Sequence, residues 1–387
     1  MSIITNIDDL KKIYRRRVPK MFFDYAESGS WTEQTFRENV SDFAELRLRQ
    51  RVAVDMSERQ TRGQMIGQTF AMPVALAPVG LTGLQSADGE IKAARAAEQF
   101  GVPYTLSTMS ICSIEDVSAK TEKPFWFQLY VMKDEDYMSR LMARAKEAKC
   151  SALVITLDLQ VLGQRHKDIK NGLSAPPKLT PKTLLNLSTK WGWGMEMLRT
   201  KRKNFGNVVG HAKGVSDTTS LSSWTAEQFD PKLDWDKIKA LRKKWDGKVI
   251  LKGILDVEDA RLALNVGADA IIVSNHGGRQ LDGAQSSIRA LPSIVDAVGD
   301  KIEVHMDGGI RSGQDVLKAL ALGAKGTYIG RSYIYGLGAM GQKGVRLSLD
   351  IIQKELETTM ALCGHRSLDQ LSRDTLRIPA NFSGDWT

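Results

Sequence analysis

The chain predicts an α/β fold: a (β/α)8 TIM barrel with an N-terminal helical extension and a long insertion after the fourth strand. Three observations carry this reading. From residue 73 onward eight short apolar runs recur, each followed by a helical pattern. Each run is continuous rather than alternating, as expected for parallel strands covered on both faces. Polar residues fall repeatedly at the ends of the runs, where such a barrel places its chemistry. An open doubly wound sheet is the structural rival, disfavoured because the first run lacks a GxGxxG turn.

Residues 1–70 read as a mostly helical segment packing on the barrel, which spans 71–362, and 363–387 as a tail. The runs are "PVALAPVG" (73–80), "VPYTLST" (102–108), "FWFQLYV" (125–131) and "ALVITLDL" (152–159). After a gap come "KVILKGIL" (248–255), "DAIIVSN" (269–275), "KIEVHMDGG" (301–309) and "KGTYIGR" (325–331). The helices between them carry their own punctuation. In "DVEDARLALNVGAD" Asp256 caps, Leu262, Ala263 and Val266 form a stripe, and Gly267 ends the helix. The gap from about 160 to 232 is too long for an ordinary loop, which points to function or mobility.

Composition is that of a globular protein, 42% apolar and 26% charged. No apolar run is long enough to span a bilayer. The N-terminus has acidic residues and no apolar h-region, so it does not read as a secretory signal. The three cysteines, Cys112, Cys150 and Cys363, are scattered. They make neither a metal spacing nor a disulfide framework, which suits a reducing cytoplasm. The five histidines form no HxxxH or HExxH pattern, so no metal site is expected. Net charge is +9, and residues 177–214 hold eight Lys/Arg against Glu196 alone. Nucleic acid, a membrane surface and plain solvation are the candidate explanations for that basic segment.

"IIVSNHGGRQLDG" (271–283) passes from buried strand to dense polar cluster within four residues. His276 reads either as a satisfied core histidine or as a general base beside an acid such as Asp158. Arg279 and Arg165 would fork around a carboxylate, the alternative for Arg165 being a surface charge. Lys252 interrupts an apolar strand. It reads as a partner for a negative cofactor atom, a Schiff-base lysine, or half of a salt bridge to a neighbouring strand. "DGGIRSG" (307–313) and "IGR" (329–331) close the last two strands, between which such barrels often bind phosphate. Gly308 and Gly309 would admit backbone N–H groups, and Arg311 and Arg331 would add charge. Otherwise the glycines only make tight turns.

At these residues the chain resembles the FMN-dependent L-2-hydroxy acid dehydrogenases and oxidases. "SNHGGRQ" (274–280) looks like their active-site signature, and "PKMFFDYAESG", "MPVALAPVG", "FQLYV", "TLD", "LKGI", "DGGIRSG" and "IGR" have counterparts in the same order. "APVGLTG", "LRQR", "WFQLYV" and "NHGGRQLDG" are closest to the bacterial respiratory L-lactate dehydrogenases. The resemblance implies His276 as base, oriented by Asp158, and Arg165 with Arg279 as the carboxylate clamp. It implies Tyr25 and Tyr130 on the substrate. Pro78, Val79 and Gly80 would lie against the flavin ring, with Ser107, Gln128 and Thr156 as its polar contacts. Lys252 would stabilise the reduced flavin, and residues Asp307, Gly308, Gly309, Arg311, Gly330 and Arg331 would form the FMN phosphate site. One departure is that Gln164 precedes Arg165, where some members have a second arginine.

The reading that follows is oxidation of L-lactate, or a similar small L-2-hydroxy acid, with electrons passing to a membrane quinone. Oxygen as acceptor (lactate or glycolate oxidase) and a mandelate-type dehydrogenase are the alternatives within the family. A pyridoxal phosphate barrel with Lys252 as Schiff base, and a non-catalytic basic binding protein, are the alternatives outside it. No C-terminal S-K-L is present, against a peroxisomal enzyme. Residues 181–207 mix Leu, Trp and Met with clustered Lys/Arg, the composition of an interfacial segment; a lid over the barrel is the competing reading. Peripheral attachment to the cytoplasmic face of the bacterial inner membrane is therefore expected, with no nucleic-acid partner. The resemblance suggests a homotetramer.

Overall fold

The structure is a computed structural model, and it describes residues 3–173, 180–212 and 228–382. All eight runs are strands. They are β1 (Val74–Leu76), β2 (Thr105–Ser107), β3 (Trp126–Tyr130), β4 (Ala152–Thr156), β5 (Lys248–Ile254), β6 (Ala270–Val273), β7 (Glu303–Asp307) and β8 (Gly326–Ile329). They pair in parallel in sequence order from β2 to β8, β8 then pairs with β1, and the parallel bridge Leu76–Tyr104 closes the circle. This is the expected (β/α)8 barrel. The runs are apolar throughout because one face meets the surrounding helices and the other fills the barrel. Val154, Ile250, Ile272 and Trp126 occupy that interior.

The helices stop where the sequence marks them. Asp256 caps Val257–Asn265 through the Glu258 N–H, and Gly267 follows at φ +74°. Ser312 and Asp315 make a reciprocal capping box on Gly313–Ala321.

The segment before the barrel is helical only as far as Glu45: Ile7–Arg17, Lys20–Ala26, Gln34–Ser41 and a short 3-10 helix at Asp42–Glu45. The expectation of a mostly helical 1–70 fails beyond that point. Arg47–Leu48 instead pairs antiparallel with Leu376–Arg377 of the tail. A hairpin, Gly63–Met65 and Gln68–Phe70, then plugs the N-terminal end of the barrel with Met65 and Ile66. Gly326 leaves room for that plug, since a Cβ there would lie 2.4 Å from Met65 Cε. The first helices, the barrel and the tail share one continuous core, from Ile7 to Phe382.

The insertion after β4 has described helices at His166–Lys170, Pro181–Ser188 and Trp191–Arg199. The second is capped by Thr180 with Pro181 in its first turn. Trp193 points inward, donating its indole N–H to Leu84 O at 2.9 Å and packing on Phe22. Helix Gln34–Ser41 is joined to the loop after β6 by a buried reciprocal amide pair. Asn39 and Asn275 each donate to the other's side-chain oxygen, at 2.8 and 2.9 Å.

Asn39→Ala would leave the Asn275 amide partly unpaired in a buried place. The expected cost is about 1–3 kcal/mol of folding stability, read as a lower denaturant midpoint with an unchanged slope. An unchanged midpoint would show that the pair contributes nothing.

Candidate active site

The polar cluster after β6 is folded by three consecutive left-handed residues, His276 (φ +58°), Gly277 (+66°) and Gly278 (+71°). For histidine this costs about 1–3 kcal/mol and persists only where the surroundings enforce it. They do so here. A Cβ on Gly278 would lie 2.5 Å from the Phe36 backbone, and the His276 N–H is held by Ser274 Oγ at 3.1 Å. The turn aims His276 into a cavity of about 290 Å³ at the C-terminal ends of the strands.

His276 Nδ1 lies 2.8 Å from Asp158 Oδ1. A buried carboxylate only accepts, so Nδ1 carries the proton and Nε2 is the free basic nitrogen. Burial lowers the His276 pKa from its ordinary value, and Asp158 only partly offsets this. Burial pushes the Asp158 carboxyl the other way, but His276, then Lys252, hold it below its usual range. Gly253, at φ +102° in the bulge of β5, makes room for Asp158: a Cβ there would sit 2.7 Å from the carboxyl carbon. The expected orienting pair is therefore present.

Arg165 and Arg279 both line the cavity, so Arg165 is not a surface charge. Arg279 donates to Tyr25 O, Ser28 O and Ser28 Oγ, and its guanidinium lies 4.7 Å from the Tyr25 ring centre. Arg165 donates to Arg279 O at 3.3 Å and Gln280 Oε1 at 3.4 Å. The two cations share one acid, Asp168, at 4.0 and 3.9 Å. Burial, then Arg279, lowers Arg165 to about 10. Arg165 therefore stays charged at neutral pH, and one distant carboxylate does not neutralise both guanidinium groups. Tyr25, Tyr130, Pro78, Val79 and Gly80 line the same cavity. Burial raises the Tyr130 pKa, keeping the phenol protonated as a donor.

Lys252 forms the floor. Its ammonium reaches Asp307 Oδ2 at 3.0 Å and Ser274 Oγ at 2.8 Å. Burial opposes its charge, but Asp307 and Asp158 outweigh it and raise its pKa. The salt bridge allowed by the sequence exists, and the amine also faces the cavity. An ammonium so held is a poor Schiff-base nucleophile. Ser107, Gln128 and Thr156 lie behind the cavity wall as one hydrogen-bonded row: Ser107 donates to Gln128 Oε1 and Gln128 to Thr156 Oγ1, each at 3.0 Å.

At the far end Gly308 (φ +94°) and Gly309 (φ +84°) turn beneath Gly330, the cap of helix Arg331–Met340. A Cβ on Gly309 would overlap Asn39 O, whereas Gly330 has nothing nearer than 3.8 Å. Arg311 and Arg331 line this end. The Arg331 guanidinium differs from expectation. It donates to Ala26 O, Gly277 O and Ser28 O, so it braces the backbone. What this residue offers a phosphate is its position in the first turn of the helix.

Sequence reasoning missed Asp168, Ser274 and an apolar wall of Met109, Leu162, Phe205 and Phe229. Asp168 had a signal, its i+3 spacing from Arg165. The two phenylalanines flank the undescribed part of the insertion and gave none.

A barrel mouth with a glycine-lined helix terminus at one end, a buried ammonium below and a His–Asp pair beside two arginines is the site of an enzyme that can hold an anionic cofactor and a small carboxylate beside a general base. The fit to FMN rests on the open Gly330 cradle and on Lys252 facing the cavity. The FMN-dependent dehydrogenase model matches residues 14–378, and the chain belongs to that family. This removes the pyridoxal phosphate reading. An L-lactate dehydrogenase of Actinobacillus pleuropneumoniae serotype 5b is 46% identical over 97% of this chain and 98% of its own. One from Caulobacter sp. strain K31 is 45% identical over the same shares. Among solved structures, a monotopic membrane protein, (S)-mandelate dehydrogenase, superposes with a TM-score of 0.93 at 34% identity, covering 98% of this chain and all of the other.

The lowered His276 pKa fixes a sign. The folded state prefers the neutral ring, so its stabilising contribution is present above about pH 6.5 and is lost as pH falls below the unfolded value. An NMR titration should place His276 below 6.5. Asp158→Asn should lower it further, because the Asp158 charge pulls it upward. A His276 titrating above 6.5 would contradict the burial argument.

Proposed function

We propose that the chain oxidises L-lactate, or a close L-2-hydroxy acid, to the 2-oxo acid. The observation that carries this is the Nδ1–Asp158 bond, which leaves Nε2 of His276 basic beside two incompletely neutralised arginines. The curated relatives named above support the choice of lactate.

Arg165 and Arg279 bind the substrate carboxylate, and Asp168 relieves only part of the repulsion between the two cations. Tyr25, stacked on Arg279, and Tyr130 hydrogen-bond the bound acid. The substrate hydroxyl faces Nε2 of His276, which takes up its proton as the Cα hydrogen departs with its electron pair, and Asp158 stabilises the imidazolium. FMN, when bound, would supply the acceptor for that hydride. Pro78, Val79 and Gly80 would flank its ring, with the row of Ser107, Gln128 and Thr156 as polar backing and the Lys252 charge, fixed by Asp307, facing it. Gly308, Gly309, Arg311 and the first turn at Gly330 and Arg331 would hold its phosphate.

The same reading extends to the acceptor. No helix among the described residues is long and apolar enough to cross a membrane. Helices Pro181–Ser188 and Trp191–Arg199 have no buried residue, and Leu185 (69%), Trp191 (79%) and Leu198 (70%) are largely exposed. This face leaves the barrel mouth, where a lipid quinone would have to reach the flavin. The basic residues are not all available to lipid, contrary to the sequence expectation. Arg202 pairs with Asp88 and Asp116, and Lys190 donates to Arg16 O. Lys182, Arg199, Lys201 and Lys203 remain exposed, at about 1 kcal/mol each near an anionic surface. We therefore place the enzyme peripherally on the cytoplasmic face of the inner membrane, reducing quinone. A homo-oligomer, a tetramer by the family resemblance, belongs to this reading.

His276→Gln should stay yellow but reduce its flavin with L-lactate about a hundred- to ten-thousandfold more slowly, in anaerobic stopped flow. Reduction at the parental rate would exclude His276 as the base. Because Trp193 and Glu196 are built into the fold, attachment is better tested on the outer face than by deletion. Leu185→Gln, Trp191→Gln and Leu198→Gln together should abolish sedimentation with anionic vesicles and quinone reduction in membranes, yet spare dye reduction by lactate. Continued co-sedimentation of that variant would assign the face to something other than lipid.

A further inference from the structure

The barrel interior below the cavity holds a second imidazole that the reaction above does not use. His305 lies in the middle of β7, wholly buried, in an interior otherwise filled by apolar side chains such as Val154, Ile250 and Ile272. An imidazole there is costly unless both nitrogens are paired. Nε2 is 3.0 Å from Glu303 Oε2 and Nδ1 is 3.1 Å from the Tyr328 hydroxyl. In the neutral ring Nε2 donates to the carboxylate and Nδ1 accepts from Tyr328. In the protonated ring both nitrogens donate and the hydroxyl accepts. Either state keeps both ring nitrogens paired.

The line has two ends. The Glu303 side chain is 33% exposed at the N-terminal end of the barrel, where it also accepts the Ile66 N–H. Tyr328 lines the active-site cavity and is the register partner of Asp307. Asp307 holds Lys252 through Oδ2, while its buried Oδ1 has no hydrogen-bond partner among the described residues.

We propose that Glu303, His305 and Tyr328 form a proton-uptake site beneath the cofactor, filled from solvent at the end of the barrel opposite the substrate. The proposal rests on a flavin held in this cavity and not on which acid reduces it. Two electrons reach the cofactor from its reductant. The negative charge they bring raises the proton affinity of the groups below, and a proton from bulk water enters past Glu303 and rests on His305. Reoxidation releases it along the same path. The charges facing His305 set the balance. Glu303 and Asp307 on its own strand favour the cation, and Lys252 on β5 opposes it, with Tyr328 on β8 neutral between them. Lys248 acts on Glu303 but is itself paired with Asp269 at 2.8 Å. Electrons arriving above Lys252 offset that opposing charge. His305 is thus a positioning residue, acting on the cofactor through the Tyr328 and Lys252–Asp307 floor.

The test uses the flavin-loaded enzyme reduced by dithionite under nitrogen. Midpoint potential and protons taken up per two electrons are measured from about pH 5 to pH 8. The wild type should show a bend in potential against pH, matched by a pH-dependent share of a proton. His305→Gln can keep both contacts through its amide, so flavin content and melting temperature should hold while the bend disappears. Glu303→Gln removes a charge that favours the cation and should move the bend to lower pH. A His305→Gln profile that overlays the wild type, or a bend unmoved in Glu303→Gln, overturns the proposal. If His305→Gln does not fold, the Glu303→Gln arm decides alone. A flavin that dithionite reduces but no hydroxy acid does would defeat the functional reading and leave this one standing.

Discussion

The turn His276–Gly277–Gly278 is the constraint on which the site depends. Three successive left-handed residues are not a conformation a free loop would keep. They are kept because the N-terminal segment is packed into them. Phe36 fills the space beside Gly278, Asn39 ties down Asn275, and Arg331 bridges Gly277 O to Ala26 O and Ser28 O. The first forty residues are thus part of the active-site scaffold. Tyr25 rides on the same segment, so one set of contacts fixes base, clamp and tyrosine together.

Electrostatics impose a second condition. Arg165, Arg279, Arg311, Arg331 and Lys252 converge on one cavity with Asp307 as its lining acid, and Asp158 and Asp168 stand behind the wall. The carboxylates are each assigned: Asp158 to His276, Asp307 to Lys252, and Asp168 shared loosely by two arginines. The surplus is positive. Leaving buried cations underpaired is destabilising, and it makes sense only where ligands bring negative charge. A phosphorylated cofactor and a carboxylate substrate are such ligands, and the surplus sits at the two ends where they would bind.

The barrel and the His276–Asp158 pair were legible because each rests on local pattern. Continuous apolar runs with capped helices mark parallel strands, and strand ends mark the catalytic face, so residues far apart in sequence can be assigned to one rim. What was not legible depends on tertiary packing. The extended course of Arg47–Leu48 follows from pairing with Leu376–Arg377 near the other end of the chain, and that of residues 63–70 from a hairpin set against the end of the barrel. Arg331 bracing carbonyls, rather than facing an anion, follows from the path of Ala26 and Ser28. His305 and Tyr328 read as ordinary strand residues until the register brought them together with Glu303.

The insertion after β4 serves both the cavity and the outer surface. Its inner side lines the cavity with Leu162, Arg165 and Phe205, and Phe229 at its end packs edge-on against Tyr130, 5.6 Å between ring centres. Its outer side carries the exposed Leu185, Trp191 and Leu198. The two sides are tied together. Trp193 is anchored on Leu84, just beyond the Pro78–Gly80 stretch, and Glu196 pairs with Arg17 and Lys92. Asn207 is buried, and its side chain accepts the Ile114 N–H and donates to Ser110. Leu84 and Ser110, the partners of Trp193 and Asn207, stand close in sequence to Leu81 and Met109 of the cavity wall. Cavity lining and outer apolar face are thus built by one folded segment, the first from side chains turned to the barrel and the second from exposed side chains that make no part of the lining, so the outer ones can be exchanged while the inner contacts stand.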